Sequence, residues 1–78
     1  MKKEEALVTV QEVLTQIGIE GIATEDSNLN NDLGMDSLDA MEMITLLEGK
    51  CDIEIKDDEA SKCNTVGDVV DLIVSKKS

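Results

Sequence analysis

The sequence predicts a small all-α protein, a helical bundle with one long connection near its beginning. Three stretches place apolar residues at helical spacing, and the chain contains no proline to interrupt them. The only stretch that alternates like a strand is "DIEI", residues 52–55, which is too short and isolated to form a sheet. With 78 residues and no repeat or low-complexity linker, we expect a single domain spanning 1–78.

The first helix is predicted over residues 3–17. Its apolar residues fall on one face, and the acids Glu4 and Glu5 suit a helix N-terminus. The face consists of Leu7, Val10, Val13, Leu14 and Ile17. Gly18 is expected to end this helix, because glycine readily adopts the left-handed backbone conformation found there.

The second helix is predicted over residues 37–50. Its apolar stripe is expected to comprise Leu38, Met41, Ile44, Leu47 and Cys51, widened by Met43 and Leu46. The acids Asp39, Glu42 and Glu48 then lie on the outer face. Gly49 is expected to fray the last turn.

Two further helices complete the predicted bundle. A long one covers about residues 66–75, with Val66, Val69, Val70 and Ile73 on one face. Thr65 and Asp68 resemble a capping box before it. A short one covers about residues 57–62, where Asp57 and Asp58 begin a single turn.

The first connection, residues 18–36, is unusually long for a compact domain, and such loops are often functional. Four apolar residues are expected to pin it across the helices. They are Ile19, Ile22, Leu29 and Leu33.

The composition excludes several classes of function. Eighteen acids against seven lysines give a net charge of −11, so nucleic acid and anionic membrane surfaces are disfavoured as partners. Partners with basic patches are favoured. The chain has no histidine and two cysteines, which argues against a zinc site and against histidine-dependent catalytic triads. We therefore expect no metal site and no enzymatic activity of its own.

The N-terminus "MKKEEALVTV" lacks the apolar segment of a signal peptide, and no apolar run approaches membrane-spanning length. We expect a cytoplasmic protein with reduced thiols. Cys51 and Cys63 are then expected to act as small buried apolar residues.

Ser37 stands at the predicted start of the second helix, where serine and aspartate are both favoured as caps. If Asp36 caps the helix, the Ser37 hydroxyl is free and points outward. A helix N-terminus would accommodate a phosphate ester on that hydroxyl. The sequence offers no base to activate it, so another protein would have to supply the catalysis. The simpler alternative is that Ser37 is only a helix cap.

The stretch "DLGMDSLDAMEM", residues 32–43, resembles the modification site of acyl carrier proteins, and the likeness continues through "TLLEGKCDIEIKDDEASK" and "TVGDVVDLI". The resemblance implies a four-helix bundle, and we expect a monomer. It also implies that Ser37 carries 4′-phosphopantetheine, transferred from coenzyme A by a phosphopantetheinyl transferase. The thiol of that arm would hold acyl intermediates as thioesters in the biosynthesis of fatty acids or related lipids and secondary metabolites.

The resemblance also assigns two sets of residues. A surface for acyl-transferring or condensing enzymes with basic docking patches would comprise Asp36, Leu38, Asp39, Met41, Glu42, Glu48 and Ile55. An acyl pocket would comprise Leu7, Met43, Ile44, Leu47, Cys51, Ala60, Val66 and Val70.

Several positions depart from the common pattern of that family. Cys51 stands where phenylalanine is common, Lys56 replaces a frequent proline, and Gly49 and Lys50 interrupt an acidic run. Thr45 is more polar than the usual residue. We therefore expect a divergent or specialised member with a different pocket or set of partners.

Two other functions remain open from the sequence. One is a carrier for an aminoacyl, peptidyl or polyketide group. The other is a small acidic binding module, either an adaptor or one linked to calcium, because residues 26–37 partly match a calcium-binding EF-hand loop. The match is incomplete: Asn31 replaces the loop glycine, and Ser37 replaces the closing glutamate.

Overall fold

The computed structural model describes residues 1–19, 21 and 23–77 and contains four helices. These are α1 (Lys3–Gln16), α2 (Ser37–Cys51), α3 (Asp57–Ser61) and α4 (Val66–Lys77). Across the described ranges there is no β-strand, only an isolated antiparallel bridge between Asn28 and Thr65. The predicted all-α four-helix bundle is confirmed. Ile22, predicted to pin the first loop, lies outside the described residues.

The core is aliphatic and is built mainly from α1, α2 and α4. No aromatic residue exists in the chain, so valine, leucine, isoleucine and methionine fill the interior. The helical residues that are fully buried include Ala6, Val10, Val13, Leu14, Met43, Leu47, Val66, Val69, Val70 and Ile73. The predicted apolar faces of α1 and α4 are confirmed at their centres, while Leu7 and Ile17 lie half-buried at the edge.

Helix α1 ends in a glycine-dependent turn. Gly18 has a positive φ of 93°, its N–H donates to the Thr15 carbonyl, and the Ile19 N–H donates to the Leu14 carbonyl. These two bonds form a Schellman motif. The cap itself is Ile17, one residue before the glycine that was predicted to end the helix.

The predicted apolar stripe of α2 is wrong at its start. Leu38 is 74% exposed and Met41 is 66% exposed. The buried line consists of Met43, Leu47 and Cys51, which are spaced four residues apart and so share one face. Leu38 precedes Met43 by five residues and therefore points to the opposite side of the helix.

Gly49 does not end α2, which continues to Cys51. The chain turns at Asp52, whose φ of 55° is left-handed, a conformation that aspartate tolerates better than most residues. Helix α4 is also longer than predicted and reaches Lys77.

Side chains of α1 fasten the long first loop to this helix, and Lys3 forms an ion pair with Glu25 of the loop at 3.0 Å. The Gln11 amide oxygen accepts from the Ala23 N–H at 2.7 Å, and its amide nitrogen donates to the Gly21 carbonyl at 3.2 Å. Leu29 is buried further along the loop, as predicted, and its N–H donates to the Asn64 carbonyl. The loop is thus held across the bundle and leads directly into the start of α2.

The predicted capping box before α4 is confirmed. The Asp68 N–H donates to the Thr65 hydroxyl at 3.2 Å, and the Thr65 N–H donates to the Asp68 carboxylate at 3.1 Å. The Asn64 N–H donates to the same carboxylate, and these backbone donors lower the pKa of Asp68.

Candidate functional site

The start of α2 is capped by Asp36. Its carboxylate accepts from the Asp39 N–H at 2.9 Å, and the Asp39 carboxylate accepts from the Asp36 N–H at 3.4 Å. This is a reciprocal capping box with aspartate in both positions. The expectation that Asp36, rather than Ser37, serves as the cap is confirmed.

Ser37 is the first residue of α2 and is exposed. Within the part of the chain that the structure describes, its hydroxyl makes no hydrogen bond. The approach to it is rigidly held, because Met35 is buried and its N–H donates to the Leu29 carbonyl. The fold therefore presents a free hydroxyl at a helix N-terminus, where backbone N–H groups and the helix dipole favour a phosphate group.

A cleft of about 460 Å³ opens beside Ser37, between α2 and the segment that contains α3. Its apolar lining comes from Leu29, Ala40, Met41, Met43, Ile44, Ile55, Ala60 and Cys63. Ser37, Thr45, Glu48, Asp57 and Ser61 supply the polar lining. A group attached to the Ser37 hydroxyl would thus stand next to an apolar recess.

The predicted pocket residues separate into three groups. Met43, Ile44 and Ala60 line the cleft beside Ser37. Leu7 lines a different, open pocket of about 600 Å³ on α1. Leu47, Cys51, Val66 and Val70 are buried in the core and line neither pocket.

The structure also adds residues to the cleft that the predicted pocket lacked. Leu29 arrives from the first loop and Cys63 from the connection after α3. Helical periodicity carries no signal for either, because both lie outside the helices. Leu29 was predicted only to pin the loop.

The predicted docking residues are also divided by the structure. Asp36, Leu38, Met41 and Glu42 are exposed, and Asp39 is half-exposed. Ile55 is only 6% exposed and lines the cleft, which sets it apart from the exposed members of the predicted docking set. The turn after α2 directs this side chain into the cleft wall.

Glu48 is half-buried rather than free on the outer face. Its carboxylate accepts from the Ile55 N–H at 2.9 Å. A sequence reading of charged residues on a helix surface does not detect this bond, because the donor comes from the following connection.

Both thiols are unfavourably placed for ionisation. Cys51 is buried and Cys63 is half-buried, and burial raises the pKa of each thiol. The Cys63 thiol also donates to the Glu59 carbonyl at 3.6 Å. Both side chains therefore remain protonated and contribute as small apolar groups.

Two oxygen-bearing side chains of the calcium-like loop already accept hydrogen bonds from the loop's own backbone. The Asp32 carboxylate accepts from the Asn28 N–H at 2.7 Å, and the Asn28 amide oxygen accepts from the N–H groups of Asn30 and Asn31. Across residues 1–19, 21 and 23–77, no three acidic or thiol side chains gather as a set of metal ligands. Over the same residues, every helix is too short or too polar to cross a bilayer.

Comparisons with known proteins identify the family of this chain. The sequence model of the family described as "Phosphopantetheine attachment site" matches residues 7–73. An acyl carrier protein of an Exiguobacterium species is 45% identical over 97% of this chain and 99% of its own length. The acyl carrier protein of Prochlorococcus marinus is 46% identical over 99% of each chain.

The fold gives the same result. The solved structure of the acyl carrier protein from Enterococcus faecalis superposes with a TM-score of 0.72 at 40% identity, covering 97% of this chain and 99% of that one. The family is assigned from the matching phosphopantetheine-site model and from the full-length relatives. The exposed serine at a capped helix start is consistent with it. The chain belongs to the acyl carrier protein family.

Proposed function

We propose that Ser37 is the residue that carries 4′-phosphopantetheine. As a member of the acyl carrier protein family, the chain is not an enzyme but holds acyl intermediates as thioesters on this covalent group. The observation that supports Ser37 is its free, exposed hydroxyl at the mouth of the cleft, with Asp36 making the cap instead.

The chain's own residues present and orient the hydroxyl but do not activate it. The neighbouring side chains that cap the helix are carboxylates already engaged by backbone N–H groups. The chain has no histidine to act as a base, so the transferase has to remove the Ser37 proton. When bound, the group supplies a terminal thiol that holds the acyl chain.

The cleft is proposed as the shelter for that acyl chain. Met43, Ile44 and Ala60 would contact the cargo, together with Leu29 and Ile55. Burying the apolar chain there removes it from water. Tethering the thioester keeps its concentration high for each successive enzyme.

The proposed docking surface surrounds Ser37 on the outer side of α2. The exposed apolar side chains of Leu38 and Met41 lie among the carboxylates of Asp36, Asp39 and Glu42. Family membership implies a phosphopantetheinyl transferase and acyl-handling enzymes as partners. We propose that these partners bring basic patches to this surface, in the cytoplasm, and that the carrier is a monomer.

A role in the biosynthesis of fatty acids or related products fits the named relatives. We propose a specialised carrier within that class. Cys51 fills the end of α2 in place of an aromatic residue, and Lys50 places a positive charge beside it. If the chain replaced a housekeeping carrier at equal rates with elongation enzymes, the specialised role would be excluded.

The test for Ser37 is enzymatic loading followed by intact mass measurement. The purified apo chain is incubated with coenzyme A and a promiscuous phosphopantetheinyl transferase, and one phosphopantetheine is expected to be added. Ser37→Ala is expected to abolish the gain. Ser61→Ala is the matched control, because Ser61 is also exposed and lines the same cleft, and it is expected to load normally. Loading of Ser37→Ala would refute the proposal.

A further inference from the structure

We propose that Glu48 is a positioning residue whose carboxylate fixes the connection between α2 and α3 and thereby keeps Ile55 in the wall of the cargo cleft. The inference rests on the proposed function, because it concerns the cleft beside the Ser37 arm. It assigns to Glu48 a different task from the charged docking contact that its place on α2 suggests.

Glu48 alone receives three backbone N–H groups from the connection that follows α2. Its carbonyl oxygen accepts from Asp52 and, at 3.2 Å, from Ile53. Its carboxylate then accepts from Ile55 at 2.9 Å. The path of the chain over residues 52–55 is therefore organised around this one residue.

The bond to Ile55 is made at the cleft itself. Glu48 and Ile55 both line the cleft, Glu48 is half-buried, and Ile55 is almost fully buried. A hydrogen bond in such a partly dry place is stronger than one on an open surface. Loss of the bond would release Ile55 and open the wall.

The segment after Ile55, which contains α3 and continues the cleft wall, is held by few other interactions. Helix α3 has only five residues, and none of them is fully buried. The Glu59 carboxylate fixes it to α4 through Lys76 at 2.7 Å. A five-residue helix has little stability of its own, so these side-chain bonds determine the position of α3 beside the cleft.

Glu42 provides the contrast on the same helix. It is exposed, and across the described residues its carboxylate accepts no hydrogen bond and forms no ion pair. Glu42 therefore contributes only charge. Glu48 contributes a carboxylate oxygen, and its side chain is long enough to place that oxygen at the Ile55 N–H. Glutamine at position 48 keeps that oxygen and removes the charge, while aspartate keeps the charge and withdraws the oxygen by one methylene group.

The experiment compares Glu48→Gln, Glu48→Asp and the control Glu12→Gln with the natural chain. Glu12 is an exposed acid on α1 that lies outside both the cleft and the proposed docking surface. Octanoyl-phosphopantetheine is installed from octanoyl-coenzyme A by a promiscuous transferase, and intact mass verifies the loading. Two rates are then measured: hydrogen exchange of the Ile55 amide in the apo chain, and cleavage of the octanoyl thioester by hydroxylamine. Acetyl thioesters serve as a control, because an acetyl chain is too short to occupy the cleft.

We expect Glu48→Asp to exchange the Ile55 amide about tenfold faster, since the hydrogen bond between the Ile55 N–H and the side-chain oxygen at position 48 is lost. The same variant is expected to lose octanoyl severalfold faster but acetyl at the natural rate. Glu48→Gln and Glu12→Gln are expected to match the natural chain in both measurements.

Three results would overturn the inference. If Glu48→Gln is altered and Glu48→Asp is not, Glu48 acts through charge. If neither variant changes either rate, the bond does not position the wall. If acetyl loss also accelerates in Glu48→Asp, the effect is general destabilisation. Should Glu48→Asp fail to fold, faster octanoyl loss in Glu48→Gln would still overturn the inference.

The proposed function fails separately, as an absence of loading at Ser37. In that case, the Ile55 amide exchange of the apo chain still tests the bond.

Discussion

At the residue scale, Asp36 caps α2 and leaves the exposed Ser37 hydroxyl without a capping role. The Asp36 carboxylate bonds the Asp39 N–H, so the Ser37 hydroxyl is not needed for capping. Because the preceding residue makes the cap, the proposed ester on Ser37 would leave the capping bond of α2 in place.

Removing the cap is expected to destabilise the chain. Asp36→Ala loses the bond to the Asp39 N–H, and such losses cost about 1 kcal/mol. Asp36→Asn keeps an oxygen in place and is expected to remain within a few tenths of a kcal/mol of the natural chain. Urea unfolding measures both. Equal stability of Asp36→Ala and the natural chain would contradict the assignment of the cap.

The sequence was sufficient to predict this cap, because helix-start preferences act over three or four neighbouring residues. It was not sufficient for Ile55, whose place in the cleft depends on a bond from Glu48 across the turn at Asp52. A bond between a helix side chain and the following backbone leaves no periodic pattern.

At the scale of the element, α2 has apolar residues on most of its circumference, from Leu38 to Cys51. Periodicity alone therefore could not choose its buried face. Packing against the rest of the core determines the buried face. It buries Met43 and Leu47 and leaves Leu38 and Met41 exposed. In α1 and α4 most apolar residues lie on one side, although Val8 is 58% exposed, and the centres of both buried faces were predicted correctly.

Truncating a side chain is expected to reduce stability far more on the buried face of α2 than on its exposed face. Leu47→Ala removes a fully buried side chain and is expected to cost about 2–5 kcal/mol. Leu38→Ala removes a side chain that is 74% exposed and is expected to change stability by about 0.5 kcal/mol or less.

We expect the same Leu38→Ala variant to lower the efficiency of transferase loading, since Leu38 lies on the proposed docking surface beside Ser37. Thermal unfolding and initial rates of loading measure the two effects. Normal loading of Leu38→Ala would remove Leu38 from the proposed surface.

The α3–α4 contact makes a pH-dependent contribution. The hydrogen bond from Lys76 lowers the pKa of Glu59 most strongly, followed by the backbone bond from Lys56 and the nearby lysine charges. The folded chain therefore releases the Glu59 proton more readily than the unfolded chain. The resulting stability is complete above the unfolded pKa, about 4.3, and is lost as pH falls through the lower folded value.

Glu59→Gln is accordingly expected to be less stable than the natural chain at pH 7. The difference should shrink as pH falls from about 5 to about 3, when the natural carboxylate is protonated as well. Urea midpoints across this range provide the measurement, and Lys76→Met is expected to show the same narrowing. A difference that stays constant down to pH 3 would show that the ion pair does not contribute in this way.

At the scale of the whole molecule, charge dominates. The chain of 78 residues contains eighteen acids and seven lysines, and its net charge is −11. The ion pairs formed by Lys3 and Lys76 engage few of those acids. Most of the carboxylates therefore repel one another, which opposes the compact state.

Added salt or magnesium is expected to raise the melting temperature, because both screen this repulsion. Titrations of sodium chloride and magnesium chloride, followed by circular dichroism, measure the effect. A melting temperature that does not change would show that the repulsion is small in the folded chain. Net charge is read directly from the sequence, so this behaviour is predictable without a structure.

The position of the arm is tested most directly by fragmentation mass spectrometry of the natural chain after loading from coenzyme A. The account predicts that the added phosphopantetheine is found on Ser37 and on none of the other serines. Its presence at a different residue would contradict the account.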